Sequence, residues 1–391
     1  MHKWPLNINN FTDQNRSDIS EFILHPDNKW TQDKQVKSFE EKFASYVGSK
    51  YAVFVSSGST ANTILAQYIK DTSNRLKNKV VLPSTTWQTS CSPWIREGFK
   101  PIFVDISLSD FCIDLDELEQ TLEIFSDSVA CVFPTSLIGY SPNISRFQEL
   151  AEKYSVKIMF DNCENTLGSY NRKNLSSFFT STTSTYFGHQ IQSVEGGFVF
   201  TNSQDEYEYF LMLRNHGMTR GLKAYGLDSK KYENNDVDPL FDFHCFGNNY
   251  RNTDINAYIG QLDLDRADSY KQKRKELYEI YRSNLDAQKY YLPKINRNLE
   301  EDVPFCLPVI PYSEANKSKT LEICSSKSIE YRPIISGFLG YQTCYKRYFK
   351  NYIEESYPNS IFLHKNGFYV GLHPGLTESQ ILDFTTVLNS I

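Results

Sequence analysis

Ser184-Thr185-Tyr186-Phe187-Gly188-His189-Gln190-Ile191-Gln192-Ser193-Val194-Glu195-Gly196-Gly197 reads as a short strand, a polar turn that carries His189, and a Glu-Gly-Gly hairpin signal. It runs into a second strand, Phe198-Val199-Phe200. A histidine in a turn is, taken alone, more often structural than chemical. Its meaning depends on what the chain places on either side.

Upstream, strands alternate with helices. Tyr51 to Val55 is a predicted strand, followed by the small-residue turn Ser56-Ser57-Gly58-Ser59-Thr60-Ala61-Asn62 that opens a helix. Further strands are predicted at Val80–Leu82, Pro101–Val104, Val129–Phe133 and Val156–Phe160. Helices are predicted between them at Trp87–Arg96, at Leu115–Ile124 behind the capping Asp114, and at Ser145–Tyr154. Apolar strands without strict period two, separated by helices, imply a mostly parallel sheet covered on both faces. Ahead of the first strand, Val36, Phe39, Phe43, Tyr46 and Val47 recur at helical spacing, and Gly48 closes that helix. Downstream, a long helix from Thr253 to about Asp286 is expected to join a large domain over residues 1–260 to a smaller α/β domain over 261–391. That second domain ends in the amphipathic helix Thr377–Leu388.

The 391 residues suffice for two such domains. The net charge of −6 is scattered, with no basic block, which argues against a nucleic-acid surface. No run approaches the roughly 20 apolar residues that span a bilayer. The start Met1-His2-Lys3-Trp4-Pro5-Leu6-Asn7 lacks the apolar core of a signal peptide, so a soluble cytoplasmic protein is expected. The eight cysteines, Cys91, Cys112, Cys131, Cys163, Cys245, Cys306, Cys324 and Cys344, form no Cys-x-x-Cys pair. Neither a metal site nor an iron–sulfur cluster is therefore expected.

Two segments carry chemistry of their own. Gly58-Ser59-Thr60 at a helix start offers backbone N–H groups, a positive dipole end and two hydroxyls, the makings of a phosphate cradle. It lacks the lysine of a nucleotide P-loop, and a plain cap and turn would use the same residues. Asp161, in Phe160-Asp161-Asn162-Cys163-Glu164, stands at the carboxyl end of a predicted parallel strand, where open α/β sheets bind ligands. A turn-capping aspartate is the alternative.

Taken together, these segments resemble the sugar-nucleotide aminotransferases of the DegT/DnrJ/EryC1/StrS family. The resemblance extends from the Trp30-Thr31 region to the final helix. It implies an aspartate aminotransferase-like fold of type I, with a mostly parallel large domain and a smaller α/β C-terminal domain. In that family a lysine six residues before the Glu of Glu-Gly-Gly binds pyridoxal phosphate covalently; here the position is His189. The same exchange marks a small branch of the family, the 4-keto-6-deoxy sugar 3-dehydratases. By the resemblance, Gly58, Ser59, Thr60 and Ser184 would grip the cofactor phosphate, and Asp161 would hold the ring nitrogen protonated. Glu164 would lie near the phenolic oxygen, and Trp87 would stack on the ring. Asn249, in Gly247-Asn248-Asn249-Tyr250-Arg251, would reach the partner's cofactor phosphate across a homodimer with shared sites. Arg220 and Arg332 are candidates for an anionic group, the amino donor's carboxylate or the substrate's diphosphate. The chain departs from the family pattern at Asp254, where a Glu is usual, and at Asp33, where a Gly is usual.

The exchange of lysine for histidine changes the expected reaction. Imidazole moves protons near neutral pH but cannot hold an aldehyde covalently, so pyridoxamine phosphate becomes the useful form of the cofactor. The implied activity is loss of the C3 hydroxyl from a nucleotide-linked 4-keto-6-deoxyhexose, GDP-linked by overall likeness, with L-glutamate as amino donor and a surface polysaccharide as destination. The competing readings are an ordinary sugar aminotransferase and a cofactor-binding regulator without turnover.

Overall fold

The computed structural model of the chain describes residues 3–293, 299–349 and 354–391. Its main sheet is built from β1 (Tyr51–Val55), β2 (Lys79–Pro83), β3 (Lys100–Val104), β4 (Val129–Val132), β5 (Phe160–Asp161), β6 (Ser181–Ser184) and β7 (Gly197–Thr201). The ladders run β1-β7-β6-β5 and β3-β2-β4, and the parallel bridges Val132–Ile158 and Thr135–Asp161 join them across β4 and β5. Strand β7 is antiparallel to both of its neighbours, and the other pairings are parallel. The expected mostly parallel sheet is thus present with one reversed strand. The stretch predicted as a strand from Val156 narrows to the Ile158 bridge and β5, because Val156 N still donates to Ala151 O at the end of the preceding helix.

Helices α1 (Asp13–Leu24), α2 (Lys34–Val47), α3 (Gly58–Thr72), α4 (Gln88–Arg96), α5 (Leu115–Phe125), α6 (Ile144–Tyr154), α7 (Gln204–Arg214) and α8 (Asp254–Leu264) surround the sheet. Alternation along the strands assigns the faces. Val53, Val55, Val80 and Leu82 pack with Ile64 and Leu65 of α3, Trp94 of α4 and Phe210 of α7. On the other face Ala52 and Phe54 meet Phe39 and Phe43 of α2. There too Val81 meets Leu118 of α5 and Phe147 of α6. Gly48 closes α2 at φ 73°, a left-handed conformation that glycine adopts without a Cβ clash.

A second, antiparallel sheet has β8 (Cys306–Val309) and β9 (Tyr331–Pro333) on either side of β10 (Phe368–Gly371). Helices α9 (Ala267–Asn284), α10 (Glu314–Ser326), α11 (Pro358–Asn366) and α12 (Glu378–Asn389) accompany it. Trp4, from the other end of the chain, is buried in the same core with Tyr281, Phe368 and Phe384.

The single long helix expected from Thr253 to Asp286 is in fact two, α8 and α9, broken at Asp265-Arg266. The apolar periodicity continues through the break, so the sequence conceals it. Fully buried Asp263 accepts from Gln192 N at 2.9 Å and from Arg266 Nη2 at 3.0 Å, tying the break to the segment that carries His189. α8 contributes Ala257 and Leu264 to the core shared with α2, whereas the body of α9 contributes Leu277, Tyr278 and Tyr281 to the C-terminal core.

Glu40 of α2 and Arg214 of α7 form a fully buried ion pair. Glu40 also accepts from Phe54 N of β1 at 2.7 Å and from the Tyr225 hydroxyl at 2.8 Å. Loss of hydration pushes the Glu40 carboxyl up, against the pull of the Arg214 guanidinium. Removing one member of such a pair leaves its partner buried and uncompensated. Arg214→Met is expected to cost about 3–5 kcal/mol in urea unfolding; a loss below 1 kcal/mol would show that the pair does not join these three elements.

Candidate active site

The first turn of α3 is shaped by its cap. Ser57 Oγ accepts from Thr60 N at 3.1 Å, and Thr60 Oγ1 accepts from Ser57 N at 3.0 Å. The Thr60 hydroxyl also donates to Ser57 O, so it serves the cap and does not line the cleft. The N–H groups of Gly58 and Ser59 have no internal acceptor among the described residues, the usual state of a helix start.

Three glycines let the backbone close up around this turn. A Cβ on Gly58 would lie 2.8 Å from Ser184 Cβ and 2.9 Å from Cys163 Sγ. One on Gly197 would lie 2.3 Å from the carbonyl carbon of Ser57, and one on Gly196 would lie 2.4 Å from Thr185 Oγ1. Neither Gly196 nor Gly197 has a positive φ; the left-handed residue of this hairpin is Val194, at φ 70°. The two glycines of Glu-Gly-Gly are therefore required for close approach, Gly197 to the helix start and Gly196 to Thr185 and Phe54, and not for turn geometry.

Asp161 ends β5, almost completely buried. Its Oδ2 accepts from Ser90 Oγ at 2.6 Å and from Asn62 Nδ2 at 2.8 Å, and its Oδ1 accepts from Cys163 N at 3.0 Å. Asn62 is held in turn by Thr182 Oγ1 of β6, which donates to its Oδ1 at 2.6 Å. Glu164 Oε2 accepts from Ile138 N at 2.9 Å. Burial, reinforced by the Asp161 charge, pushes the Glu164 carboxyl up to about 8, so it carries a proton at neutral pH and can donate to an oxygen ligand.

His189 lies half-buried in the same cleft, its Nδ1 without a hydrogen-bond partner. Phe305 flanks the ring at 5.4 Å and Tyr186 at 6.3 Å between centroids. Loss of hydration holds the imidazole down to about 4; the Cys163 backbone and Asp161 oppose this, and the buried Arg274 guanidinium adds to it. The resting imidazole is thus neutral and able to accept a proton.

The cleft, of about 720 Å³, is lined by Gly58, Ser59, Trp87, Asp161, Glu164, Ser184, His189 and Arg332 of the sequence-derived set. Trp87, the N-cap of α4, is 56% exposed and presents its ring there. Arg332 pairs with Glu330 at 2.8 Å. Arg220 and Asn249 are not brought to this cleft within the chain. Arg220 is exposed, with its guanidinium 5.1 Å from the Phe241 ring centroid, and exposed Asn249 accepts from Arg251 Nε at 3.0 Å. Sequence reasoning assigned no role to Asn62 or Ser90. Each is a buried polar residue one helical turn or less inside a helix start, and that misplaced polarity is the signal that could have marked them.

Residues 15–389 match the DegT/DnrJ/EryC1/StrS aminotransferase family. The chain belongs to that family. GDP-4-keto-6-deoxy-D-mannose 3-dehydratase of Escherichia coli O55:H7 is 28% identical over 88% of this chain and 89% of its own length. The solved structure of the E. coli enzyme with bound hydrated PLP superposes with a TM-score of 0.87 at 27% identity, covering 99% of this chain and 100% of that one. A structure of a GDP-4-keto-6-deoxymannose-3-dehydratase with a trapped PLP-glutamate geminal diamine also gives 0.87, at 26% identity, over 99% and 100% of the two chains. The chain thus has the fold type I architecture of these pyridoxal phosphate proteins.

The site's own residues fit such a cofactor. Donor N–H groups at Gly58 and Ser59 suit a phosphate, and the glycine contacts leave no Cβ in the way. The Asp161 carboxylate, fixed by three donors, suits a protonated ring nitrogen. Protonated Glu164 suits a phenolic oxygen, and His189, its Nδ1 without a partner, lines the same cleft. Among the described residues, no group of three His, Cys, Asp or Glu side chains is arranged to hold a metal ion, and no helix is long and apolar enough to cross a membrane.

The His189 environment has a measurable consequence. In the cofactor-free protein its imidazole should remain neutral as pH falls through 6.5 and gain its proton only near 4. Histidine ring NMR checks this, and a midpoint at 6–7 would contradict the buried, neutral ring.

Proposed function

We propose that the chain is a pyridoxamine phosphate-dependent 3-dehydratase. It acts on a nucleotide-linked 4-keto-6-deoxyhexose, GDP-4-keto-6-deoxy-D-mannose, and yields a 4-keto-3,6-dideoxy sugar for surface polysaccharide. The observation that carries this reading is His189 itself: a neutral imidazole, not an amine, beside Asp161 and the α3 helix start. The E. coli relative and the solved E. coli structure, both GDP-4-keto-6-deoxy-D-mannose 3-dehydratases, support the same substrate class.

Bound pyridoxamine phosphate would supply an amine for the sugar ketone and a protonated ring able to withdraw electrons from the adjoining carbon. Gly58, Ser59 and Ser184 would hold its phosphate, Asp161 its ring nitrogen, Glu164 its phenolic oxygen, and Trp87 would cover one face. Without a lysine, these contacts alone retain it. His189 takes a proton at the cofactor's C4′ carbon and returns one to the departing C3 hydroxyl, acting as base and then acid. Arg332 serves the anionic part of the substrate. Overall, hydrogen replaces the C3 hydroxyl, and L-glutamate leaves as 2-oxoglutarate and ammonia, which balances the two electrons.

The active form in this reading is a cytoplasmic homodimer. Leu240, Phe241, Phe243 and Phe246 are 56–94% exposed, an apolar surface that a monomer would leave in water. Arg220 and Asn249 flank this segment in sequence, and their distance from their own cleft suits service in the partner's. Residues 1–260 carry the cofactor, and 261–391 close over the sugar.

His189→Asn should lower turnover roughly 10²–10⁴-fold while the protein remains folded. Mass analysis of the wild-type product should show a sugar without its C3 oxygen and without added nitrogen. A 4-amino product would instead establish an aminotransferase, and absence of turnover with any 4-keto sugar nucleotide would favour the regulator. Light scattering should give twice the chain mass of 45.3 kDa; a monomer would remove the shared site.

A further inference from the structure

Among the described residues, three side chains that line the cleft carry a buried polar atom without a partner: His189, Arg274 and Asn7. The mechanism uses His189. Arg274 donates to the backbone carbonyls of Phe305 and Leu372 and so has a structural occupation. Asn7 is unexplained: an amide 9% exposed, in the first few residues of the chain, at the catalytic cleft.

The segment that carries Asn7 is tied down at several points. Trp4 Nε1 donates to Gly371 O at 2.9 Å, Glu330 N donates to Trp4 O at 2.9 Å, and Leu6 N donates to Glu330 Oε2 at 3.1 Å. The contact is close enough that a Cβ on Gly371 would lie 2.4 Å from Pro5 O. Further on, Gln192 Nε2 donates to Ile8 O at 3.3 Å and Arg266 Nη1 to Asn10 O. Between these anchors Asn7 Nδ2 donates to Phe187 O at 2.6 Å, two residues before His189.

That bond reaches the first half of the His189 turn, which among the described residues is otherwise held only within the hairpin itself, by Phe187 N donating to Val194 O at 3.2 Å, His189 N to Tyr186 O at 2.9 Å and Tyr186 N to Ser184 Oγ at 3.3 Å. Its second half is fixed by bonds to three separate segments: Gln190 Nε2 donates to Val303 O, Leu167 N to Gln190 Oε1, and Gln192 N to Asp263 Oδ2. Its first half is wet, with Tyr186 47% and Phe187 38% exposed. We infer that residues 4–10 form a strap and that Asn7 is a positioning residue for His189, its carboxamide fixing the Tyr186–Gly188 backbone that aims the imidazole. The same strap rests on Glu330, which pairs with Arg332, so the substrate-facing arginine and the catalytic turn share one support.

The catalytic part of this inference rests on the dehydratase reading; the clamp does not, so two readouts are paired. Asn7→Asp keeps the shape of the side chain and puts an acceptor where the donor was, and Asn7→Ala removes both. In cofactor-free protein, hydrogen exchange over residues 186–193 should quicken at least about tenfold in both variants, while exchange over 51–55 stays as in wild type. Turnover should fall about 10–10²-fold, the scale of a displaced catalytic group, with KM for the sugar nucleotide within about twofold. Unchanged exchange over 186–193 in both variants overturns the clamp. Faster exchange with normal kcat, or with the whole effect in KM, overturns the positioning role. If the wild-type protein deoxygenates no sugar, the dehydratase reading fails and the exchange measurement alone decides the clamp.

Discussion

The site depends on one steric constraint: the hairpin that carries His189 must lie in direct contact with the first turn of α3. Gly197 touches the Ser57–Gly58 peptide, and Gly58 touches Ser184 and Cys163, at distances that leave no room for a Cβ. Three segments are thereby locked together: a helix start with free donors, the strand end that carries the Asp161 carboxylate, and the hairpin whose turn carries the imidazole. Cofactor phosphate, ring nitrogen and proton carrier have fixed separations in any such reaction, so their holders need this rigidity before any chemistry can occur.

Around that contact, burial sets the protonation states more than residue type does. Glu164 is an acid that keeps its proton, and His189 is a base that stays neutral, because each loses hydration in the same cleft. Asp161, more deeply buried than either, receives three hydrogen bonds, from Asn62, Ser90 and the Cys163 backbone, which fix its carboxyl group in place. Arg274, behind the cleft, discourages a second positive charge on His189.

Much of this was legible in the chain. The alternation of apolar strands and helices up to Phe160 gave the layered sheet, because burial on two faces leaves a mark that needs no long-range information. Gly58, Asp161, Trp87, Ser184 and His189 were legible as candidates through local pattern and family resemblance, and the fold gathers them in one cleft. What misled were features whose cause lies elsewhere in the chain. The break between α8 and α9 follows from Asp263 binding Gln192, and Thr60 turned out to complete a helix cap.

The amino-acid sequence by itself determined the secondary structure, the class of fold and the types of group available for chemistry, since these follow from periodicity, capping and side-chain identity. Tertiary structure alone decided which groups meet and in what charge state. Asn7 reaches the His189 turn across 180 residues, and Asn62 and Ser90 reach Asp161 from two different helices. Contacts of that range leave no periodic trace, because each depends on where the packed layers bring two unrelated segments, and desolvation at the resulting cleft is a property of the assembled walls and of no single residue.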